Sequence, residues 1–376
     1  MRDNLPKRGL QLQSTLAADG TITVRLVEVD VPQPGPGEAL IRVEAAPINP
    51  SDLMTMLPAA DPAQGAASGG ALTFRLSPEA ASTRSGRFGQ PLPVGLEGVG
   101  TVIAAGKGAE HLIGKRVAAL SLTLGMYAEY KLVNVAECAV LPDAVSSREG
   151  AGLFCNPMTA LAIAETVRLE GQGALIHTAA ASNLGQMLVK ICAEDGIQLV
   201  NVVRRQEQAS LLRGLGATHV VNSSEPGFEE ALLAAARETG AMIAFDALGG
   251  GAMPGVLLQA MEGAARSRMA GYSPYGSTEL KQVFIYGHLD RAPTVLHNEL
   301  YGMMASTHLW AMPSTLARVG PERAAEMQQR VVAGIKTTFA SSFAEEISLR
   351  QALEPALVRE YAGMATGRKF LINPTL

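Results

Sequence analysis

A short apolar run, Gly173-Ala-Leu-Ile-His-Thr-Ala179, leads into a turn of mostly small residues, Ala180-Ala-Ser-Asn-Leu-Gly-Gln186. An apolar run without alternation reads as a strand buried on both faces. Met187-Leu-Val-Lys-Ile-Cys-Ala193 then has helical spacing, with no breaker before Gly196. A strand, a tight turn and a helix bring backbone N–H groups and the positive end of a helix dipole together, so the chemistry on offer is pyrophosphate binding. The candidate contacts are Ala181, Ser182, Asn183, Leu184 and Gly185. Ala179 and Ser182 stand where glycine is usual, and Gly185 keeps the position at which helix packs on strand. Alone, the turn also fits an ordinary strand–helix connection of any α/β protein.

The next strand, Ile197-Gln-Leu-Val-Asn-Val-Val203, ends in Arg204 and Arg205. A unit that binds NAD carries an acid at this strand end, about 20 residues after the turn, for the ribose 2′-hydroxyl. Two guanidinium groups stand there instead, and planar, permanently charged donors suit a phosphate. Arg204, with Arg205, therefore reads as a clamp for the 2′-phosphate of NADPH. The competing reading is two solvated arginines at a helix start, where the dipole disfavours cations.

The elements that must position these groups fall into two regions. Residues 10–140 show short alternating strands, such as Thr21-Ile-Thr-Val-Arg-Leu-Val-Glu-Val29 and Glu38-Ala-Leu-Ile-Arg-Val-Glu-Ala45, separated by turn clusters such as Pro32-Gln-Pro-Gly-Pro-Gly37. That pattern predicts an antiparallel, barrel-like domain. From about Gly150, helices and strands alternate, which predicts a parallel sheet of the Rossmann kind. Helices are expected over 157–166, 184–195, 206–215, 227–239 and 253–261, and strands over 219–221, 241–245, 265–270 and 282–286. Further helices are expected over 321–334 and over 349–364, the latter kinked near Pro355, before a last strand over 369–372.

A chain of 376 residues suggests two domains. With 47% hydrophobic and 18% charged residues it has the composition of a soluble globular protein. A net charge of −4 argues against nucleic acid as a partner. No apolar run is long enough to span a bilayer, and Met1-Arg-Asp-Asn-Leu-Pro-Lys-Arg8 lacks a signal-like apolar core. The three cysteines, Cys138, Cys155 and Cys192, suit reduced thiols, so a cytoplasmic protein is expected.

In order and spacing, several motifs resemble the medium-chain dehydrogenase/reductase superfamily, in its zinc-free quinone oxidoreductase and enoyl reductase branch. They are Pro47-Ile-Asn-Pro-Ser-Asp52, Val94-Gly-Leu-Glu-Gly-Val-Gly-Thr-Val102, Gly125-Met-Tyr-Ala-Glu-Tyr130, Pro157-Met-Thr-Ala160, Leu215-Gly-Ala-Thr-His-Val-Val221, Phe245-Asp-Ala-Leu-Gly-Gly250 and Thr366-Gly-Arg-Lys369. The resemblance covers nearly the full length. It implies an α/β protein with a GroES-like β-barrel catalytic domain (1–149 and 315–376) and a doubly wound Rossmann domain that binds NADPH (150–314), with the active site in a cleft between them.

Zinc-dependent relatives of that pattern carry a cysteine near the position of Asn49 and a histidine at the position of Leu96, and only Cys155 matches a ligand. One ligand of three cannot hold a catalytic zinc, so no metal is expected. Without a Lewis acid, alcohol–ketone interconversion is disfavoured. Hydride transfer from NADPH to a quinone or an activated C=C bond (an enone, enal or enoyl compound) is the expected reaction. The alternative is a non-catalytic NADPH-binding sensor or structural protein of the same fold. Cys155 itself reads as a small buried apolar residue.

The resemblance also implies roles for single residues. Thr159 would contact the nicotinamide amide, Leu248, Gly249 and Gly250 would lie over the ribose, and Gly271 and Tyr272 would form a loop closing on the nicotinamide. Lys369 and Leu371 would approach the cofactor from the catalytic domain, and Asn49 would sit near the substrate oxygen or the nicotinamide ribose. Asp52 is a candidate acid, although aspartate more often accepts hydrogen bonds in turns, and Tyr127 is a candidate cleft-wall aromatic or proton donor. Enoyl thioester reductases of the mitochondrial type carry a catalytic tyrosine soon after Asn-Pro-Ser-Asp, where this chain has Met54-Thr-Met-Leu-Pro-Ala-Ala60. The Ala/Gly/Ser-rich stretch over 61–90 reads either as a substrate-shaping lid or as an unconstrained surface insertion. Met303, Met304, Leu309 and Trp310 read as core or subunit-contact residues, and a homodimer joined through the Rossmann sheets is the expected assembly.

Overall fold

The computed structural model describes residues 5–296 and 301–376. The chain divides into two units, Met1–Cys155 with Val332–Leu376, and Asn156–Val331.

The first unit opens with β1 (Arg8–Leu16) and β2 (Thr21–Asp30), an antiparallel pair turned around Asp19, whose carboxylate accepts from the Thr21 N–H at 2.9 Å. β3 (Glu38–Pro47) follows, then the short helix α1 (Pro50–Met56). The stretch over 61–90 is not an unconstrained insertion. It contains β4 (Ala66–Ser68), β5 (Ala71–Arg75) and helix α2 (Pro78–Ser82), and β5 pairs antiparallel with β2. Leu72 and Phe74 on β5 are buried in the core, so alternation survived in a segment whose composition masked it. Arg87 ties its far end down, donating to Thr55 O at 3.1 Å and Ser14 Oγ at 3.2 Å.

β6 (Leu92–Pro93), β7 (Glu97–Ala105), β8 (Arg116–Leu120), β9 (Tyr130–Asn134), β10 (Cys138–Val140) and α3 (Ser147–Gly150) complete the N-terminal part. One sheet runs β4-β5-β2-β1-β6. In the other, β3 pairs antiparallel with both β7 and β9. Leu12, Ile22, Val24, Ile41, Val43 and Phe370 lie in one buried cluster of this unit.

The second unit starts in helix α4 (Cys155–Leu169) and continues β11 (Ala174–His177), α5 (Asn183–Asp195), β12 (Gln198–Val203), α6 (Gln206–Gly214), β13 (His219–Asn222), α7 (Phe228–Thr239), β14 (Ile243–Asp246), α8 (Met253–Arg266), β15 (Lys281–Ile285), β16 (Ala305–Leu309) and α9 (Met312–Ala333). Its sheet is parallel throughout, in the order β13-β12-β11-β14-β15-β16. The order reverses between β11 and β14, because β11 is flanked by β12 on one side and β14 on the other. The crevice beyond that reversal, at the strands' carboxyl ends, is where such sheets bind ligands.

One strand expectation fails here, and one strand lies where none was expected. No strand lies over 265–270: α8 runs on to Arg266, because Ala260, Met261, Ala264 and Ala265 keep its buried face continuous. β16 carries a polar strand sequence, Ala-Ser-Thr-His-Leu, which hid it, and it pairs along its full length with β15. α9 begins at Met312, nine residues before Pro321, and Gly320 breaks it with φ 83° and ψ 170°.

The crossings between units fall at 155/156 and 331/332, rather than at 149/150 and 314/315. α9 explains the second shift. Thr315 on it bonds Thr166 (2.7 Å) and Trp310 (3.1 Å), Arg323 pairs with Glu165 (2.6 Å), and Arg330 pairs with Asp195 (2.9 Å). The chain then returns to the first unit as β17 (Glu345–Ile347), α10 (Pro355–Ala362) and β18 (Phe370–Ile372), with β18 antiparallel to β3. Among the described residues, no helix is long and apolar enough to cross a membrane.

Candidate functional site

In the second unit the sequence-predicted phosphate turn sits at the carboxyl end of β11, whose four residues are all buried. The chain reverses at Ala179, which takes the left-handed conformation (φ 49°) that glycine adopts without cost. The turn is tied to both flanking strands: Thr178 N–H donates to Phe245 O at 3.1 Å, and Ala180 N–H to Val202 O at 3.1 Å. Ser182 caps α5, its Oγ accepting from Gly185 N–H at 3.1 Å. A methyl group on Gly185 would lie 2.0 Å from Ala180 O, so only glycine lets the helix start so close to the turn. The first turn of α5 contains no acid.

β12 ends one residue before Arg204, whose backbone is held by Gln208 Oε1 (3.1 Å) and Ser224 Oγ (2.8 Å). Arg205 occupies the N-cap of α6 in extended conformation and makes no side-chain cap. Both arginines are exposed, and neither guanidinium has a partner among the described residues. At the next strand end, buried Asp246 accepts from Thr178 Oγ1 (2.5 Å), Leu248 N–H (3.1 Å) and Gly249 N–H (3.0 Å). This places Leu248 and Gly249 at the same sheet edge as the phosphate turn. Thr159, on α4, directs its hydroxyl to Met312 Sδ at 3.9 Å.

Gly271 and Tyr272 do not belong to this edge. They follow α8 and precede β15, which puts them at the amino end of the strands, and Tyr272 is 91% exposed. The loop that occupies the expected place is Tyr286-Gly287-His288, after β15. The misplacement follows from reading the end of α8 as a strand. Met303, Met304 and Leu309 are exposed, whereas Trp310 is buried edge-on against Phe245 (5.3 Å between ring centres).

The first unit gathers a second polar cluster. Asn49 caps α1, and its N–H donates to Asp52 Oδ2 at 2.8 Å. The other Asp52 oxygen accepts from Leu96 N–H at 2.8 Å. Asp52 is buried, and desolvation pushes its carboxyl up to about 6 against the pull of those N–H donors. The geometry is that of a structural acceptor that fastens α1 to the chain before β7. Glu97, fully buried, accepts from Asn49 Nδ2 (2.9 Å) through one oxygen and from the Phe154 and Cys155 N–H groups (2.9 Å each) through the other. Lys369 Nζ donates to Asn49 Oδ1 at 2.9 Å. Lys369, 320 residues away in sequence, thus joins the Asn49–Asp52 pair beside a carboxylate, Glu97, that carried no sequence-level role. Its signal lay within Val94-Gly-Leu-Glu-Gly-Val-Gly, where an acid between glycines at a strand start has no solvent face to serve.

Tyr127 is not a cleft-wall aromatic. It is wholly buried in the first unit's core, and its hydroxyl donates to Pro47 O at 3.1 Å. Burial, followed by the nearby Asp52 charge, pushes the phenol well above its usual range, so it remains un-ionised.

Two family descriptions match the chain: an alcohol dehydrogenase GroES-like domain over residues 35–143 and a zinc-binding dehydrogenase over residues 184–298. The mitochondrial enoyl-acyl-carrier-protein reductase of Caenorhabditis elegans is 28% identical over 208 residues, 54% of this chain and 53% of that protein. The quinone oxidoreductase of Salmonella typhimurium is 31% identical over 152 residues, 39% of this chain and 46% of that protein. The chain thus spans about half the length of the curated relatives it matches. A solved structure described as a candidate NADPH:quinone reductase of Mesorhizobium loti is 26% identical, with a TM-score of 0.74 over 99% of this chain and 100% of that one. The chain belongs to the medium-chain dehydrogenase/reductase superfamily, in its quinone and enoyl reductase branch. Its first unit contains the GroES-like domain, and its second is the Rossmann parallel sheet. The quinone oxidoreductase of Escherichia coli, solved with NADPH, shares the fold at 17% identity, with a TM-score of 0.68 over 98% of this chain and 100% of that one.

One of these superfamily descriptions names zinc, and the residues here do not fit it. Among the described residues, no group of three or more His, Cys, Asp or Glu could hold a metal ion. Around Cys155 stand an asparagine amide, a carboxylate already shared among three N–H donors, and the Lys369 ammonium. Burial, reinforced by Glu97, pushes the Cys155 thiol well above its usual range, as for a small buried apolar residue.

Proposed function

We propose that this protein is an NADPH-dependent reductase of quinones or activated C=C bonds that works without zinc. The observation that carries the reading is the exposed pair Arg204 and Arg205, without partners among the described residues, at the carboxyl end of β12, one strand from the capped phosphate turn. Bound NADPH would supply the hydride. Arg204 and Arg205 would grip the ribose phosphate, and the Ser182–Gly185 turn would cradle the pyrophosphate on the α5 N-terminus. The close packing at Gly185 supports this, because a side chain there would separate helix from turn.

Reaction class follows from what surrounds Asn49. With no Lewis acid to stabilise an alkoxide, substrates whose own carbonyl or ring delocalises the charge are favoured. Lys369 spends one N–H on Asn49, which leaves donors open to a ligand oxygen, and burial holds its ammonium below the usual lysine range while Glu97 opposes the shift. The free thiols Cys138, Cys155 and Cys192 suit a reducing, cytoplasmic setting. β16 is an edge strand, and pairing of two such edges would make the homodimer.

The test is NADPH oxidation, followed by absorbance, against a panel of quinones, enones, enals and enoyl thioesters. Turnover of one class supports the reading. Tight NADPH binding without turnover of any would leave a non-catalytic nucleotide-binding protein, and preference for NADH would overturn the clamp.

A further inference from the structure

His177, the last residue of β11, is fully buried, and its Nε2 lies 2.7 Å from the hydroxyl of Tyr286, the first residue beyond β15. The two rings stack with centres 5.8 Å apart and planes 16° apart. Trp310 closes one side of Tyr286 edge-on at 6.3 Å. The other imidazole nitrogen, Nδ1, is buried with no partner among the described residues. Burial pushes His177 down to about 3, so the ring is neutral and carries one proton. A buried nitrogen without a partner costs less as a bare acceptor than as an orphaned N–H, which favours the tautomer with its proton on Nε2, facing the phenol oxygen. The Tyr286 O–H is then left to donate elsewhere.

Its place on the sheet says to what. The phosphate turn follows β11, and the strand-end arginines follow β12, on one side of the reversal in strand order. A dinucleotide laid across that reversal carries its adenosine over β12, and its other half extends over β14 and β15. Tyr286 stands at the end of β15 and is half-buried, with its N–H held by Asp246 O at 3.0 Å.

We infer that Tyr286, aimed by His177, is a positioning residue whose hydroxyl donates to the carboxamide oxygen of the nicotinamide and so fixes the orientation of the ring. This deepens the NADPH reading and rests on it. The test is binding by the full chain, measured by calorimetry, of NADPH and of its thionicotinamide analogue, in which sulfur, a poor acceptor, replaces the carboxamide oxygen. The wild type is expected to bind the oxygen form about threefold to tenfold more tightly, the effect of one net hydrogen bond. Tyr286→Phe is expected to bring the two within about 1.5-fold, and His177→Phe, which keeps a ring but removes the aiming nitrogen, to fall between. A merely structural tyrosine would weaken both nucleotides alike, so an unchanged ratio in a folded Tyr286→Phe protein that still binds NADPH overturns the inference alone. Should that variant fail to fold, a wild-type ratio near one overturns the inference by itself. A wild type that binds neither nucleotide overturns the NADPH reading and this inference together.

Discussion

Arg204→Ala is the most direct perturbation of the nucleotide clamp. Because the Arg204 side chain is exposed and has no partner among the described residues, its removal breaks no internal contact. A surface change of that kind shifts folding stability by less than about 0.5 kcal/mol. Any change in nucleotide affinity is then a ligand effect. A guanidinium on a phosphate makes charge-assisted hydrogen bonds worth about 1.5–3 kcal/mol, or roughly 10- to 100-fold in Kd. Solvent exposure puts the expected loss at the lower end, because surface charges are screened over a Debye length of about 8 Å at physiological salt. Arg205 stands beside it and retains part of the grip, so Arg204→Ala is expected to weaken NADPH about 10- to 30-fold and the double variant further. NADH, which lacks the phosphate, is expected to change by less than about twofold. Titration by calorimetry at low and high salt reads both numbers, and the NADPH loss should shrink as salt rises. Equal losses for both coenzymes, or a wild type that prefers NADH, would refute the reasoning.

Three further outcomes are expected. Ala179 holds a left-handed backbone that costs a residue with a Cβ about 1–2 kcal/mol, so Ala179→Gly should stabilise the protein by about 0.5–1 kcal/mol after the entropy of glycine is subtracted; denaturant melts showing destabilisation would contradict the strain. The Asp52 carboxyl is raised from 3.8 to about 6 on folding, so its contribution to stability is complete below about pH 4 and is lost as pH rises through 6. Relative to Asp52→Asn, the wild type should therefore lose up to about 3 kcal/mol between those values, and a difference that stays flat with pH would show the carboxyl is not raised. Tyr127→Phe removes the bond to Pro47 O inside the core and should cost about 1 kcal/mol in thermal or chemical melts, whereas lost turnover at unchanged stability would return the phenol to the chemistry.

What the sequence determined by itself was local. Apolar runs such as Ala174–His177 and Gln198–Val203 announce buried parallel strands wherever they are folded, and their ends carry the turn at Ser182 and the arginines at 204 and 205 with them. The phosphate end of the site was legible for that reason: its parts lie within about thirty residues on consecutive elements. Composition misled where it diverged from periodicity. The small residues over 61–90 hid a strand whose Leu72 and Phe74 fill the core, the polar sequence of β16 hid another, and the end of α8 reads as a strand although it is helical. A strand ending at Ala270 would put the nicotinamide loop at Gly271 and Tyr272, which in fact lie at the opposite edge of the sheet.

Only the tertiary structure decided the groups joined across long separations. Lys369 reaches Asn49, which bonds Glu97, which holds Cys155; His177 meets Tyr286 across β14; and Tyr127 turns inward to Pro47. Whether a polar side chain performs chemistry or merely satisfies a buried neighbour depends on which backbone and side-chain atoms surround it once the sheets close. One-dimensional spacing carries no record of those distances, because strand order and register, rather than position along the chain, bring the partners together.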